Sequence, residues 1–246
     1  MDCPINSHSC TVHKINSDKI PFLVDNHAQL DLNLIDCYNF IMPKNHSAEI
    51  NLFVTESVAT EINFFCGDSI NLTVRLIILF PQTVDINISV TICGNNSNVT
   101  ILSLCALAQQ QSVIIKTKQV HCGKNSQSKL LLQGLIAGQA QLTYDGTIRI
   151  EKDACATYAL QNNKNILLSS TATAISIPNI EVLNHDVQCY HGAAIGKFDI
   201  EQMQYMQCRG LSELVIKQLL VQELFAQVLQ GYEKREFILK TVYEKI

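Results

Sequence analysis

A thiol and an imidazole stand two residues apart in the segment Asp186-Val187-Gln188-Cys189-Tyr190-His191-Gly192-Ala193. In a β-strand residues i and i+2 share a face, so Cys189 and His191 project together. A thiolate beside an imidazole suits zinc, copper, iron and iron-sulfur species. Two ligands do not complete a tetrahedral shell, and a free cysteine is commonly a small buried hydrophobe. On spacing alone, packing is the favoured reading, and a metal needs further donors from this chain or another.

Other chemistry-bearing pairs are weaker. His121 and Cys122 are adjacent, so a strand points them to opposite faces and at most one serves a given site; packing is expected for both. Cys10 and His13 look like half a metal site without a second half at standard spacing, and residues 1–20 read as a polar tail. Gly192-Ala193-Ala194-Ile195-Gly196-Lys197-Phe198 superficially looks like a phosphate-binding loop. It has one residue too few between its glycines, and Phe198 where Ser or Thr must reach magnesium, so the chain is expected to bind no ATP itself.

The elements that must hold Cys189 and His191 are short β-branched runs. They recur at Ser69 to Ile78, Val84 to Ile92, Asn98 to Leu104, Ser112 to Val120, Gln139 to Ile150 and Ile166 to Ser176, with Gly and Asn clusters between. Val84-Asp85-Ile86-Asn87-Ile88-Ser89-Val90 alternates with period two, apolar on one face and polar on the other. The pattern predicts an all-β core over 21–198, compatible with sandwich, barrel or solenoid, and no exact repeat period is visible.

Near residue 199 the period changes, and 199–246 reads as a helical subdomain. Asp199 is an N-cap with Gln202 three residues on, and Gly210 suits the residue after the helix. Ser212 caps a second helix running through Gln230, with Leu214, Val215, Leu219, Leu220, Leu224, Phe225 and Leu229 close to helical spacing; a third spans Tyr232 to Tyr243. Most of that stripe is expected to be core against the β region and the neighbouring helices. Gly146 is expected to supply a turn, Pro178 to restrict entry to the last strand, and Arg209 to cap the first helix or reach back to the β core.

Composition excludes more than it selects. Against 22 acidic residues stand 18 basic ones, for a formal charge of −4 without charge blocks, so no nucleic-acid surface is indicated. The longest strongly apolar run, around Leu76-Ile77-Ile78-Leu79-Phe80, is too short to span a bilayer. Ten cysteines show neither zinc-ribbon spacing nor a compact disulfide framework, and no signal segment opens the sequence, so free thiols in a cytoplasmic setting are expected. The β region carries few, scattered acids, which argues against a carbohydrate-cleaving β-helix enzyme.

From Ser128 onward the chain resembles the C-terminal half of the SufB/SufD family, scaffold proteins of the SUF iron-sulfur cluster assembly system. The matching features run in order: Leu131-Leu132-Gln133-Gly134-Leu135-Ile136, Tyr144-Asp145-Gly146-Thr147-Ile148, Tyr158 to Ser169 with Ala154 before it, Ser176 to Glu181, and Asp186 to Gly196. Asp199, Glu201-Gln202, Tyr205 and Arg209-Gly210-Leu211 complete the series. The Cys-x-His-Gly-Ala form is similar to the SufD branch, and typical members are longer toward the N-terminus.

The resemblance implies a parallel, right-handed β-helix-like core with a small C-terminal helical subdomain. It implies a non-enzymatic scaffold whose open end pairs with a SufB-like protein, or with a second copy of itself. His191 would then present its imidazole to a nascent iron-sulfur cluster, with Cys189 as a second ligand or a sulfur-relay residue. The family usually carries an acidic residue at His185; that histidine shares parity with Cys189 in an unbroken strand, but a surface position is preferred. The C-terminal helices would dock a SufC-like ABC ATPase through Arg209, Gly210, Leu211, Leu214, Val215, Gln218 and Leu219. A structural adaptor or homodimeric scaffold with no cluster ligand of its own is the alternative.

Overall fold

The computed structural model describes residues 22–33 and 37–246. The expected polar tail with Cys10 and His13 lies outside the described residues. Odd-numbered strands β1 (Phe22–Leu23), β3 (Tyr38–Met42), β5 (Val58–Cys66), β7 (Thr83–Ile92), β9 (Ser112–His121), β11 (Gln141–Ile150) and β13 (Thr173–Val182) form one sheet in that order. Even-numbered strands β2 (Ala28–Asn33), β4 (Ser47–Val54), β6 (Asn71–Leu79), β8 (Asn98–Leu107), β10 (Gln127–Ile136), β12 (Thr157–Leu167) and β14 (Val187–Gly196) form the other. Every strand pairs in parallel with the strand two places along, so the chain advances one layer per two strands as a parallel β-solenoid.

Alternation builds the core. In β7 the side chains of Val84, Ile86, Ile88, Val90 and Ile92 are buried while their neighbours face outward, as a half-buried strand requires. Coil length is not constant. Phe22 pairs with Phe40, 18 residues on, whereas Gln141 pairs with Thr173, 32 residues on. That drift is why no fixed period shows in the sequence.

Corners between odd and even strands are held by residues in the left-handed region: Asn45, Ser69, Asn96, Asn125 and Ala156, with φ between 53° and 61°. Asparagine tolerates this region best among residues with a Cβ, and stacked asparagines tie successive corners together. The Asn125 amide donates to the Asn96 side-chain oxygen at 3.3 Å, and Asn95 accepts from the Lys124 backbone at 2.8 Å.

Three helices follow: α1 (Ile200–Cys208), α2 (Glu213–Phe225) and α3 (Arg235–Lys245). They explain why β6, β8 and β10 are buried on both faces. Ile77, Leu79, Leu104, Ala106, Leu131 and Leu135 point outward into a second core made by Val221, Leu224, Phe225, Val228, Ile238 and Val242. The helices are pinned by Arg75, whose guanidinium donates to the Val228 carbonyl at 3.0 Å and the Gln230 carbonyl at 3.3 Å, pairs with Glu49 and lies 5.5 Å from the Tyr232 ring centre.

Several expectations need correction. The run Ile166 to Ser176 is the end of β12, a corner and the start of β13, because its Ser169-Ser170-Thr171 centre turns. Gly146 is in the middle of β11 rather than in a turn; a Cβ there would come within 2.2 Å of the Tyr144 hydroxyl and 2.4 Å of Gln161 Nε2. Pro178 is inside β13, tolerated because β13 pairs on one side only. The second helix ends at Phe225 rather than Gln230, and the third starts at Arg235.

Candidate functional site at the open end of the solenoid

The last coil is the least covered. β13 bonds only to β11 and β14 only to β12, which leaves one edge of each strand unpaired among the described residues. Ile175 (51% exposed), Ile177 (46%) and Tyr190 (52%) stand on this coil's outer faces. The edge and its apolar neighbours are what a further strand would cover.

Cys189 and His191 sit within β14. Their in-register partners are Ala159 and Gln161 of β12, both fully buried, so the pair shares the inward parity of the solenoid. The expected common face is therefore present. Cys189 is half-buried against Ile148, Ile150, Ala154 and Ala159, and burial pushes its thiol above the ordinary range. His191 is exposed. His185 is separate from them: it lies in the bend before β14, so the strand is broken between it and Cys189, and its side chain is exposed.

Behind the pair the interior turns polar. Gln161 donates from Nε2 to the Gly146 carbonyl at 3.2 Å, and the Tyr144 hydroxyl bonds to Thr117 Oγ1 at 2.9 Å. Asn163 and Asn165 bond each other at 2.8 Å on the same inner face. Gln161 Oε1 and Ser176 Oγ are buried without a partner among the described residues. Sequence reading missed this wall; glutamine and asparagine at the inward parity of β12, Gln161, Asn163 and Asn165, were its available signal.

His121 is a packing residue. Nδ1 bonds to Ser126 Oγ and Nε2 to Ser128 Oγ, both at 2.7 Å, and burial pulls the imidazole down to about 4. Cys122 lies just past the strand end at a corner. Among the described residues no group of three His, Cys, Asp or Glu side chains is arranged to hold a metal ion.

The helical residues form a second surface. Leu214 (65% exposed), Val215 and Leu219 are outward on α2, while Ile216, Leu220, Val221, Leu224 and Phe225 face the core. Leu214, Val215 and Leu219 are thus outside the core stripe. Leu214 and Gln218 line a cleft of about 550 Å³ with Phe198, Val221 and Tyr243. Gly210 carries φ +86 after α1, and Leu211 follows it, exposed. Arg209 is the C-cap residue of α1, its backbone N–H donating to the Tyr205 and Met206 carbonyls at 3.2 and 3.1 Å, so the expected cap is made by the main chain. Its guanidinium bonds the Tyr205 hydroxyl at 2.9 Å and lies over that ring.

Residues 62–224 match the family model described as SUF system FeS cluster assembly, SufBD core domain. The chain belongs to the SufBD core-domain family. The matched stretch runs from β5 into α2 and so includes both the open end and the exposed helix face. The chain is 26% identical to the iron-sulfur cluster assembly protein SufD of Escherichia coli over 145 residues, 59% of this chain and 34% of that protein. It is 27% identical over 149 residues to a SufBD family protein of Galdieria sulphuraria, covering 61% of this chain and 64% of the relative. With a SufBD family protein of Mycobacterium tuberculosis strain H37Rv it shares 24% identity over 223 residues, 87% of this chain and 52% of the relative. The match thus spans between about a third and two thirds of these relatives' lengths. No helix among the described residues is long and apolar enough to cross a membrane.

Proposed function

We propose that this SufBD-family chain is a SufD-like scaffold subunit in iron-sulfur cluster assembly. The observation that carries the reading is the open end: two unpaired strand edges, flanked by exposed Ile175, Ile177 and Tyr190, with Cys189 and His191 on the inner face of β14. An unpaired edge continues its hydrogen bonding through a strand of another chain. Edge-to-edge pairing brings the inner faces of two solenoids to one seam, where each chain contributes donors that it cannot assemble alone. His191 presents an imidazole to a nascent cluster, the partner supplies thiolate, and Cys189 is the second donor. The cluster is cargo, not a resident group.

The partner is a SufB-like chain; a second copy through an isologous interface is the homodimeric variant. The face of α2 with Leu214, Val215, Gln218 and Leu219, together with Arg209, Gly210 and Leu211, docks a SufC-like ABC ATPase in the cytoplasm. Nucleotide hydrolysis takes place there, not on this chain, and reshapes the seam. The similarity to Escherichia coli SufD and the Cys-x-His-Gly-Ala form favour the SufD branch. A second reading, an adaptor with no cluster ligand, draws on the packing of Cys189 against Ala159 and Ile148.

Anaerobic co-expression with SufB-like and SufC-like proteins, followed by light scattering, tests the assembly. One copy of this chain in a stable complex is expected; a chain that stays monomeric with both present rules the reading out. Within an intact complex, His191→Ala is expected to abolish cluster retention, and unchanged iron and sulfide content would select the adaptor.

A further inference from the structure

Cys-Gly steps recur three times, at Cys66-Gly67, Cys93-Gly94 and Cys122-Gly123, each where an odd strand runs into the corner before the next even strand. The glycines have a packing reason. A Cβ on Gly94 would come within 2.0 Å of the Gly67 carbonyl carbon, and one on Gly123 within 1.9 Å of the Gly94 oxygen. The cysteines do not share one. Cys66 is buried in the core, as small apolar side chains are. Cys93 is exposed and Cys122 only half-buried, so neither is there to fill the interior.

The backbone sets these two thiols in one column. Ile92 and His121 are the last in-register residues of β7 and β9. The next N–H groups continue the pattern: Cys122 donates to the Ile92 carbonyl at 2.9 Å, as Cys93 does to the Cys66 carbonyl at 3.0 Å. Cys93 and Cys122 therefore hold the same corner position in adjacent coils. One coil on, the position belongs to Glu151, whose N–H donates to the His121 carbonyl at 2.9 Å; one coil back it belongs to Gly67, which donates to Met42 at 3.0 Å. The column has two thiols and no third, and no three-ligand group is arranged for a metal among the described residues. Two thiols by themselves do not complete a tetrahedral zinc shell.

Spacing decides what two such thiols can do. In-register neighbours on adjacent strands stand about 4.8 Å apart. A disulfide asks for Cβ atoms about 3.8 Å apart, so closing one pinches the corner. Two metal–sulfur bonds of about 2.3 Å in line bridge nearly the undisturbed spacing. Soft thiolates suit copper(I), zinc and iron-sulfur clusters; zinc and the clusters take four protein or bridging ligands, so a site of two thiolates alone points to copper(I).

We propose that Cys93 and Cys122 form a two-coordinate site for copper(I). One Cu⁺ replaces the two thiol protons, which pass to solvent, and leaves an anionic bis-thiolate with no change of oxidation state. Burial, Cys93 and Glu151 all hold the Cys122 thiol above its ordinary range. Arg149, paired to Glu151 at 2.6 Å and Glu181 at 3.0 Å, offsets this only in part, so the metal itself must displace the proton. The site is on the solenoid corner, apart from the last coil where Cys189 and His191 lie.

Anaerobic titration of the full chain with copper(I), in competition with bathocuproine disulfonate, tests it. Each of Cys93→Ser and Cys122→Ser is expected to lose one tightly held equivalent, at least tenfold in affinity, whereas Cys189→Ser keeps it. X-ray absorption of the one-equivalent complex is expected to show two sulfur neighbours at a single distance. Cys93 is exposed, so its variant folds, and circular dichroism checks both. A double variant that binds copper(I) as the unsubstituted chain does overturns the proposal, as does loss of the equivalent in Cys189→Ser alone.

Discussion

Gln161 and His191 are in-register neighbours on the inner faces of β12 and β14, one fully buried and the other exposed. A single strand spacing separates the polar interior from the residue assigned to the seam. His191 makes no contribution to the core, so His191→Ala is expected to change the chain's own stability by less than about 0.5 kcal/mol. Urea midpoints of the isolated chain check this. A large shift would make His191 a folding residue and remove the basis for reading its loss in the complex as a loss of cluster ligand.

Gly146→Ala is expected to destabilise the chain by about 1–3 kcal/mol. The added methyl group meets the Tyr144 hydroxyl and Gln161 Nε2, and neither yields freely. Tyr144 is tied to Thr117, and Gln161 to the Gly146 carbonyl itself. Gly196→Ala, where a Cβ meets nothing within 4 Å, is the control and is expected to be close to neutral in the same urea titration.

His121 gives the fold a defined acid sensitivity. Its imidazole is pulled from 6.5 to about 4 in the folded chain because burial disfavours the charged ring. Above pH 6.5 both folded and unfolded chains are neutral at this residue and it adds no pH dependence. As pH falls from 6.5 toward 4 the unfolded chain takes up the proton first, so stability drops, and below 4 no further loss comes from this group. Between pH 7.5 and pH 5 the expected loss is about 2 kcal/mol. His121→Gln should flatten that part of the urea-midpoint profile; an unchanged slope would assign it to other groups.

The all-β character of the core, the helical C-terminus and the shared face of Cys189 and His191 were legible because each rests on local periodicity, whereas the six runs read from the sequence fall well short of the fourteen strands among the described residues. Val84 to Ile92 alternates in the sequence and in β7 alike. What was not legible depends on contacts between coils. Nothing local says that Gly146 makes room for Tyr144 and Gln161, or that Pro178 is in an edge strand. His185 is on the surface, as preferred; its parity with Cys189 held only for an unbroken strand, and a corner interrupts it. Leu214, Val215 and Leu219 fit a helical apolar stripe, yet only the packing of α2 on β10 shows that they point away from it. Family resemblance, rather than pattern, separated solenoid from sandwich.

Arg75 is the polar pin of the helical subdomain, and Arg75→Ala is expected to cost about 2–3 kcal/mol. The loss leaves the Val228 and Gln230 carbonyls without their charged donor and Glu49 without its cation. Because these partners join the helices to β4 and β6, the damage should be local. Hydrogen exchange is expected to rise in 228–245 while β7 to β11 stay protected. Uniform exchange across both regions would show that helices and solenoid unfold as one unit.

Ile177→Lys addresses the open edge directly. Ile177 is 46% exposed on β13, whose other edge is paired to β11, so the lysine is solvated in the isolated chain. Stability is expected to stay within about 0.5 kcal/mol. At a strand-to-strand seam the same charge loses its water, and lysine on an edge strand is the common device against pairing. Association with the SufB-like partner, or with a second copy, is therefore expected to weaken at least tenfold by light scattering. A complex of unchanged mass and affinity would place the interface away from β13 and leave its apolar edge without a role.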